Sequence, residues 1–241
     1  MTSDRAAPPV AKREPVQDVR HGDRRVDDYH WLRDPGYPEV NDPEIIAYLE
    51  AENAYREAVM APVQPLEEKL FAELKGRIKQ DDAGVPVKKG AWYHTWRFEP
   101  DHQYPVHYLI PEADGADAEG RVLLDENALA EGREYLSVRM VEPCPGYRRF
   151  AYTADFNGSE KFDIRVREIA TGAELPDLVP NTNGVMAWAA DGESFLYLRL
   201  DESLRPSSVW RHRLGTSAEA DTLVYEESDP GFMVSLDQPL D

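Results

Sequence analysis

Asp27 to Pro35, DDYHWLRDP, gathers three carboxylates, a histidine and an arginine in nine positions, the side chains from which a proton relay or an ion-pair cluster is made. The chain has six histidines, His21, His30, His94, His102, His107 and His212, and each is a candidate general base. A base needs a nucleophile. Acyl transfer on an α/β-hydrolase sheet takes its serine from a G-x-S-x-G elbow, where a strained strand-to-helix turn exposes the hydroxyl and backbone amides bind the oxyanion. No G-x-S-x-G occurs, and the nearest candidate, Ser159 in FNGSEKF, reads as a turn between two strands. EADGADAEG at 112–120 imitates a calcium loop but lacks its spaced ligands and final glutamate, so it reads as a hairpin connection. The single cysteine, Cys144, can build neither an internal disulfide nor a cysteine-based zinc cluster. On this reading no residue is assigned as catalytic, cofactor-binding or metal-ligating, and no cofactor is expected.

The elements that would position these residues change character along the chain. Residues 1–25 show no sustained period and read as an extended arm. A helix then starts abruptly: Asp42 can cap it, Pro43 suits its first position, Glu44 faces the positive end of its dipole, and Pro62 closes it. Ile45, Tyr48, Leu49, Tyr55 and Val59 fall mostly on one face of it. Leu66, Leu70, Leu74 and Ile78 recur every four residues after Pro65 and predict a second amphipathic helix. Two helices thus occupy roughly residues 42–78.

Beyond QDDAGVP the period becomes two, in runs such as AWYHTWRF, YPVHYLI and RVLLD. An internal repeat follows. RRFAYTAD superposes on ESFLYLRL with Tyr152 over Tyr197, a shift of 45, and placing Ile164 over Val209 preserves the same shift in the next strands. A four-stranded unit recurring at this length predicts β-propeller blades, because each small sheet needs neighbours to cover its faces. The units run over about 85–130, 135–180 and 185–227, and GFMVSLDQPLD reads as the opening strand of a fourth. The expected fold is mainly β with N-terminal helices: an arm and helices over 1–80, then an incomplete propeller of about three four-stranded blades over 81–241.

With 27 basic against 46 acidic residues the net charge is −19. Such a surface repels nucleic-acid phosphates and anionic lipid, so neither nucleic acid nor membrane is an expected partner. The first residues lack the apolar core of a secretory signal and no window is apolar enough to span a membrane, which makes a cytoplasmic protein the expectation.

In order, HGD, DDYHWLRDP, YLEAENAY, RIKQDDAGVPVKKGAWYHTWR, YPVHYLIP, LLDENALAEGREYLSV and YTADFNGSEKFDIRVREIATG resemble the front part of an oligopeptidase B, an Arg/Lys-directed member of the prolyl oligopeptidase family of serine peptidases. The resemblance runs from about Pro8 to the last residue. It implies a seven-bladed propeller over an α/β-hydrolase domain, with the arm and helices packed on that domain and the catalytic Ser, Asp and His downstream of the propeller. In that setting Tyr29, Trp31 and Leu32 would anchor the arm by burial while Asp28, Arg33 and Asp34 pair or cap locally. The resemblance also implies that Glu160, in NGSEKF, makes an interdomain contact favouring a closed form. One departure concerns the turn EPCPGYRRFAY, where Cys144 and Pro145 replace an expected turn aspartate and put the hairpin geometry in question; AADGESFLY keeps its Asp-Gly.

The expected function is therefore the propeller-containing part of an oligopeptidase B-like endopeptidase whose whole form binds and cuts short basic peptides. This chain alone would be inactive. Two other readings stand beside it: a binding module that pairs with a separate hydrolase fragment or with itself through open blade edges, and a truncated fragment without function.

Overall fold

The computed structural model describes residues 6–237. The chain divides into two compact units at Ile78/Lys79. No helix among the described residues is long and apolar enough to cross a membrane.

In the first unit the expected arm contains a β-hairpin. Strands β1 (Val16–Arg20) and β2 (Asp23–Asp27) pair antiparallel, joined by His21 and Gly22, whose positive φ of 52° and 81° suit a two-residue turn matched to strand twist. Every residue of both strands is exposed, so no apolar alternation announced them. Helix α1 (Pro43–Met60) begins as the sequence predicts, the Asp42 carboxylate accepting from the Glu44 amide. Helix α2 (Gln64–Gly76) ends short of Ile78. The helices form, but their apolar faces do not bury: of the two, only Ile45 is buried, while Leu66, Leu70, Phe71 and Leu74 are all exposed. Caps and propensity are local and act without a partner, whereas burial requires one.

The DDYHWLRDP stretch is tied into the first unit by hydrogen bonds. The Trp31 indole N–H donates to the Lys12 carbonyl at 2.9 Å, and its ring meets Tyr48 edge-on at 5.8 Å. Asp34 is buried and accepts from the amides of Gly36, Asn41 and Asp42, which hold its carboxyl below the usual range. Tyr29, expected as an anchor, is instead 43% exposed, while Trp31 and Leu32 are half-buried and the Trp31 indole reaches the returning arm.

The second unit is antiparallel β. One four-stranded sheet holds β3 (Val87–Lys89), β4 (Trp92–Arg97), β5 (Val106–Pro111) and β6 (Arg121–Asp125), followed by a short helix α3 (Glu126–Ala130). A seven-stranded ladder then runs in sequence order through β7 (Ser137–Pro143), β8 (Arg149–Asp155), β9 (Phe162–Glu168), β10 (Glu174–Trp188), β11 (Ser194–Leu200), β12 (Pro206–Arg213) and β13 (Thr222–Glu226). Strand β10 has 15 residues and serves two neighbours: its first half pairs with β9 and its second with β11. Thr182 is the pivot, opposite both Phe162 and Arg199, with Asn181 and Gly184 on either side in left-handed conformations. Its buried hydroxyl donates to the Phe162 carbonyl and accepts from the Gly184 amide.

The shift of 45 holds at the level of hydrogen-bond register. Tyr152 faces Arg165 as Tyr197 faces Trp210, and Thr153 faces Ile164 as Leu198 faces Val209. Packing repeats too. Phe150 and Tyr152 join Leu109 and Leu124 of the preceding sheet, while Phe195 and Tyr197 join Ala151, Ile164 and Val166 of the strands before them. The core therefore lies between successive repeats, and each fully buried aromatic contributes about 1.5–3 kcal/mol.

The Cys144 turn keeps its geometry. Cys144 N–H donates to the Arg149 carbonyl and Tyr147 N–H to the Cys144 carbonyl, as Ala189 does to Ser194 and Gly192 to Ala189, again 45 residues on. Where Asp191 accepts the Ser194 amide, the Cys144 sulfur accepts the Arg149 amide at 3.4 Å. The expected strand opening a fourth unit does not form over 231–237: one amide, that of Val234, donates to Pro206, and a lone segment has no ladder to join. Residues 238–241 lie outside the described residues.

Candidate functional site

Among the described residues no histidine is hydrogen-bonded to a serine, threonine or cysteine side chain. His21 lies in the hairpin turn and His30 stands 3.7 Å from Asp27, both exposed. His102 lies 3.5 Å from Glu99, and His107 2.7 Å from Glu126. His94 faces the Tyr147 hydroxyl at 3.0 Å; since that hydroxyl donates to the Lys89 carbonyl, the imidazole Nε2–H must donate to it. Burial, and then the Lys89 ammonium, push His94 down to about 4.

His212 is fully buried between two carboxylates, with Nδ1 2.7 Å from Asp221 and Nε2 3.3 Å from Asp177. Asp221 also accepts from the Tyr197 hydroxyl, and Asp177 from the Gly215 amide. This cluster ties β12 to β10 and to the start of β13. The sequence placed His212 in a strand but gave no sign of its two acids, 35 and 9 residues away.

Ser159 sits in an exposed turn, its amide donating to Asn157 and its hydroxyl accepting from Lys161 at 3.4 Å. No base faces it. Glu112, in the acidic loop, pairs with Lys88, and no three His, Cys, Asp or Glu side chains converge as metal ligands among the described residues.

Glu160 lies beside a cavity of about 430 Å³ between the strands of the second and third repeats, shared with Tyr135, Arg139, Phe162, Leu200 and Leu204. The β8–β9 loop that carries it is organised by Asp155, 1% exposed, which accepts the amides of Asn157, Gly158 and Glu160 at 2.9, 3.0 and 2.8 Å. The β11–β12 loop repeats the device with Asp201, which accepts from the Ser203 and Arg205 amides and from the Arg205 guanidinium. That guanidinium holds Asp201 below the usual carboxylate range. Both loops put a non-glycine residue in the left-handed region, Glu160 at φ 59° and Leu204 at φ 60°. The sequence pointed to Glu160 alone. Arg139 and Leu204 carried no local signal, because a strand and a loop 65 residues apart bring them to one cavity.

A family model described as the N-terminal β-propeller domain of prolyl oligopeptidase matches residues 8–239. The chain is 41% identical, over 98% of its length, to dipeptidyl aminopeptidase BI of Pseudoxanthomonas mexicana, and 37% identical, over 93%, to Protease 2 of Moraxella lacunata. It spans 34% and 32% of those proteins. The structure of oligopeptidase B from Leishmania major superposes with a TM-score of 0.85 at 29% identity, covering 95% of this chain and 34% of that one.

Proposed function

Because the chain belongs to the prolyl oligopeptidase family, over its N-terminal β-propeller domain, we propose that it is the propeller-containing part of an oligopeptidase B-like serine endopeptidase that cuts short peptides after Arg or Lys. The superposition on the Leishmania major enzyme along nearly the whole chain carries this reading. The four-stranded sheet and the two halves of the seven-stranded ladder, divided at Thr182, then make three blades. Covering an α/β-hydrolase part, they would admit only short peptides. That part would supply serine, histidine and aspartate for acyl-enzyme chemistry, so the present residues alone would not hydrolyse peptides. The exposed Leu66, Leu70, Phe71 and Leu74 of α2 offer it an apolar surface, and Glu160 offers a carboxylate for an interdomain contact. A cytoplasmic location belongs to the same proposal.

A second reading, removal of dipeptides from peptide N-termini, is favoured by the 41% identity to dipeptidyl aminopeptidase BI. Reading the transcript beyond codon 241 for a G-x-S-x-G segment followed by Asp and His, and assaying the joined product, separates the two. Cleavage after Arg or Lys inside blocked peptides supports the first, and release of dipeptides only from free N-termini supports the second. In the joined product Glu160→Gln should shift small-angle scattering towards an open form. Absence of any such segment would remove the peptidase reading and leave a binding module or a fragment without function.

A further inference from the structure

The cavity beside Glu160 combines features that no fold requirement explains. Glu160 and Leu204 lie in two loops each organised by an aspartate, five residues after Asp155 and three after Asp201, and each has φ near 60°, where glycine is free of penalty and a side chain is strained. The loops are fixed by Asp155 and Asp201 through backbone amides, so their shape does not need either side chain. Yet both positions carry one, and both side chains line the same cavity. Strain retained in this way points to what the side chains present.

What they present is complementary to one kind of molecule. Among the described residues the Glu160 carboxylate has no hydrogen-bond or ion-pair partner, so it can receive a cation. In β7, Arg139 has no carboxylate partner among the described residues and lies over the Phe162 ring at 5.9 Å, leaving its guanidinium donors for an anion. Phe162, Leu200, Leu204 and Pro206 supply apolar wall between them. Gly184 keeps this arrangement close: a Cβ there would stand 2.8 Å from both the Arg139 side chain and the Phe162 ring. A volume of about 430 Å³ falls within the range of small-ligand sites.

We propose that this cavity binds a free di- or tripeptide with an apolar first residue: its α-ammonium on Glu160, its first side chain against Leu204 and Phe162, and its carboxylate on Arg139. The proposal needs no hydrolase part. Where one is joined, the peptide ammonium and the interdomain contact compete for the same carboxylate.

The test is calorimetric titration of the full chain with leucine, Leu-Gly and Leu-Gly-Gly, and with N-acetylated and C-amidated forms of the best binder. Saturable binding is expected, weakened about tenfold or more by N-acetylation or by Glu160→Gln, and likewise by C-amidation or by Arg139→Gln. Leu204→Gly is the sharper variant: it should weaken binding while raising the melting temperature, because it removes apolar wall and strain together. No saturation up to about 10 mM overturns the proposal. So does equal affinity for the acetylated peptide, or affinity unchanged in both Glu160→Gln and Leu204→Gly.

Discussion

His94 shows how a residue that invites a catalytic reading can be fully used by packing. Its Nε2–H is committed to Tyr147, whose ring stacks on Trp92 at 5.6 Å, and the imidazole is held neutral with its titration lowered to about 4. The sign follows from linkage. Below pH 6.5 the unfolded chain takes up a proton that the folded imidazole refuses, so this stability is complete above 6.5 and falls away as the pH drops towards 4. Allowing for partial exposure, the wild type should lose about 1–2 kcal/mol more than His94→Gln between pH 7 and 4.5. Urea unfolding at the two pH values measures it; equal losses would show that burial does not control this imidazole. The sequence placed His94 in a strand with aromatic neighbours, and that much was legible. Its partner Tyr147 lies 53 residues away, a distance that only folding closes.

At the scale of elements, the signals that came through were those the chain settles locally or by repetition. Asp42 and Pro43 start α1 where they stand, because capping involves only amides of the first turn. The 45-residue repeat reappears as matching registers in β8–β9 and β11–β12, because side-chain alternation of period two fixes which residues face the core. The β1–β2 hairpin escaped notice since all of its residues are exposed, and the continuity of β10 was hidden by Pro180, Asn181 and Gly184, which read as punctuation. Gly184 is the element's weak point. At φ 81°, with a Cβ position 2.8 Å from Phe162, Gly184→Ala should cost more than about 1 kcal/mol, seen as a lower urea midpoint at unchanged slope. A neutral result would mean that the crossover between the halves of β10 relaxes freely.

For the whole molecule, the two units differ in what holds them. In the first, α1 buries one side chain and α2 none, whereas the second has two continuous clusters built from Phe150, Tyr152, Phe195, Tyr197 and their neighbours. Stability should follow that difference. In urea, the helical signal at 222 nm should be lost at lower concentration than the near-ultraviolet signal of the buried aromatics, and coincident transitions would refute it. The sequence by itself determined the order of helical and β segments, the α1 cap, the repeat and its offset, and the lack of a nucleophile elbow within these residues. Each of these depends on neighbouring residues or on a period along the chain. Only the tertiary structure decided that Thr182 serves two ladders, that His212 sits between Asp177 and Asp221, and that Arg139, Glu160 and Leu204 share one cavity. Those relations join residues of different strands and loops, and they exist only once β pairing has brought the strands together.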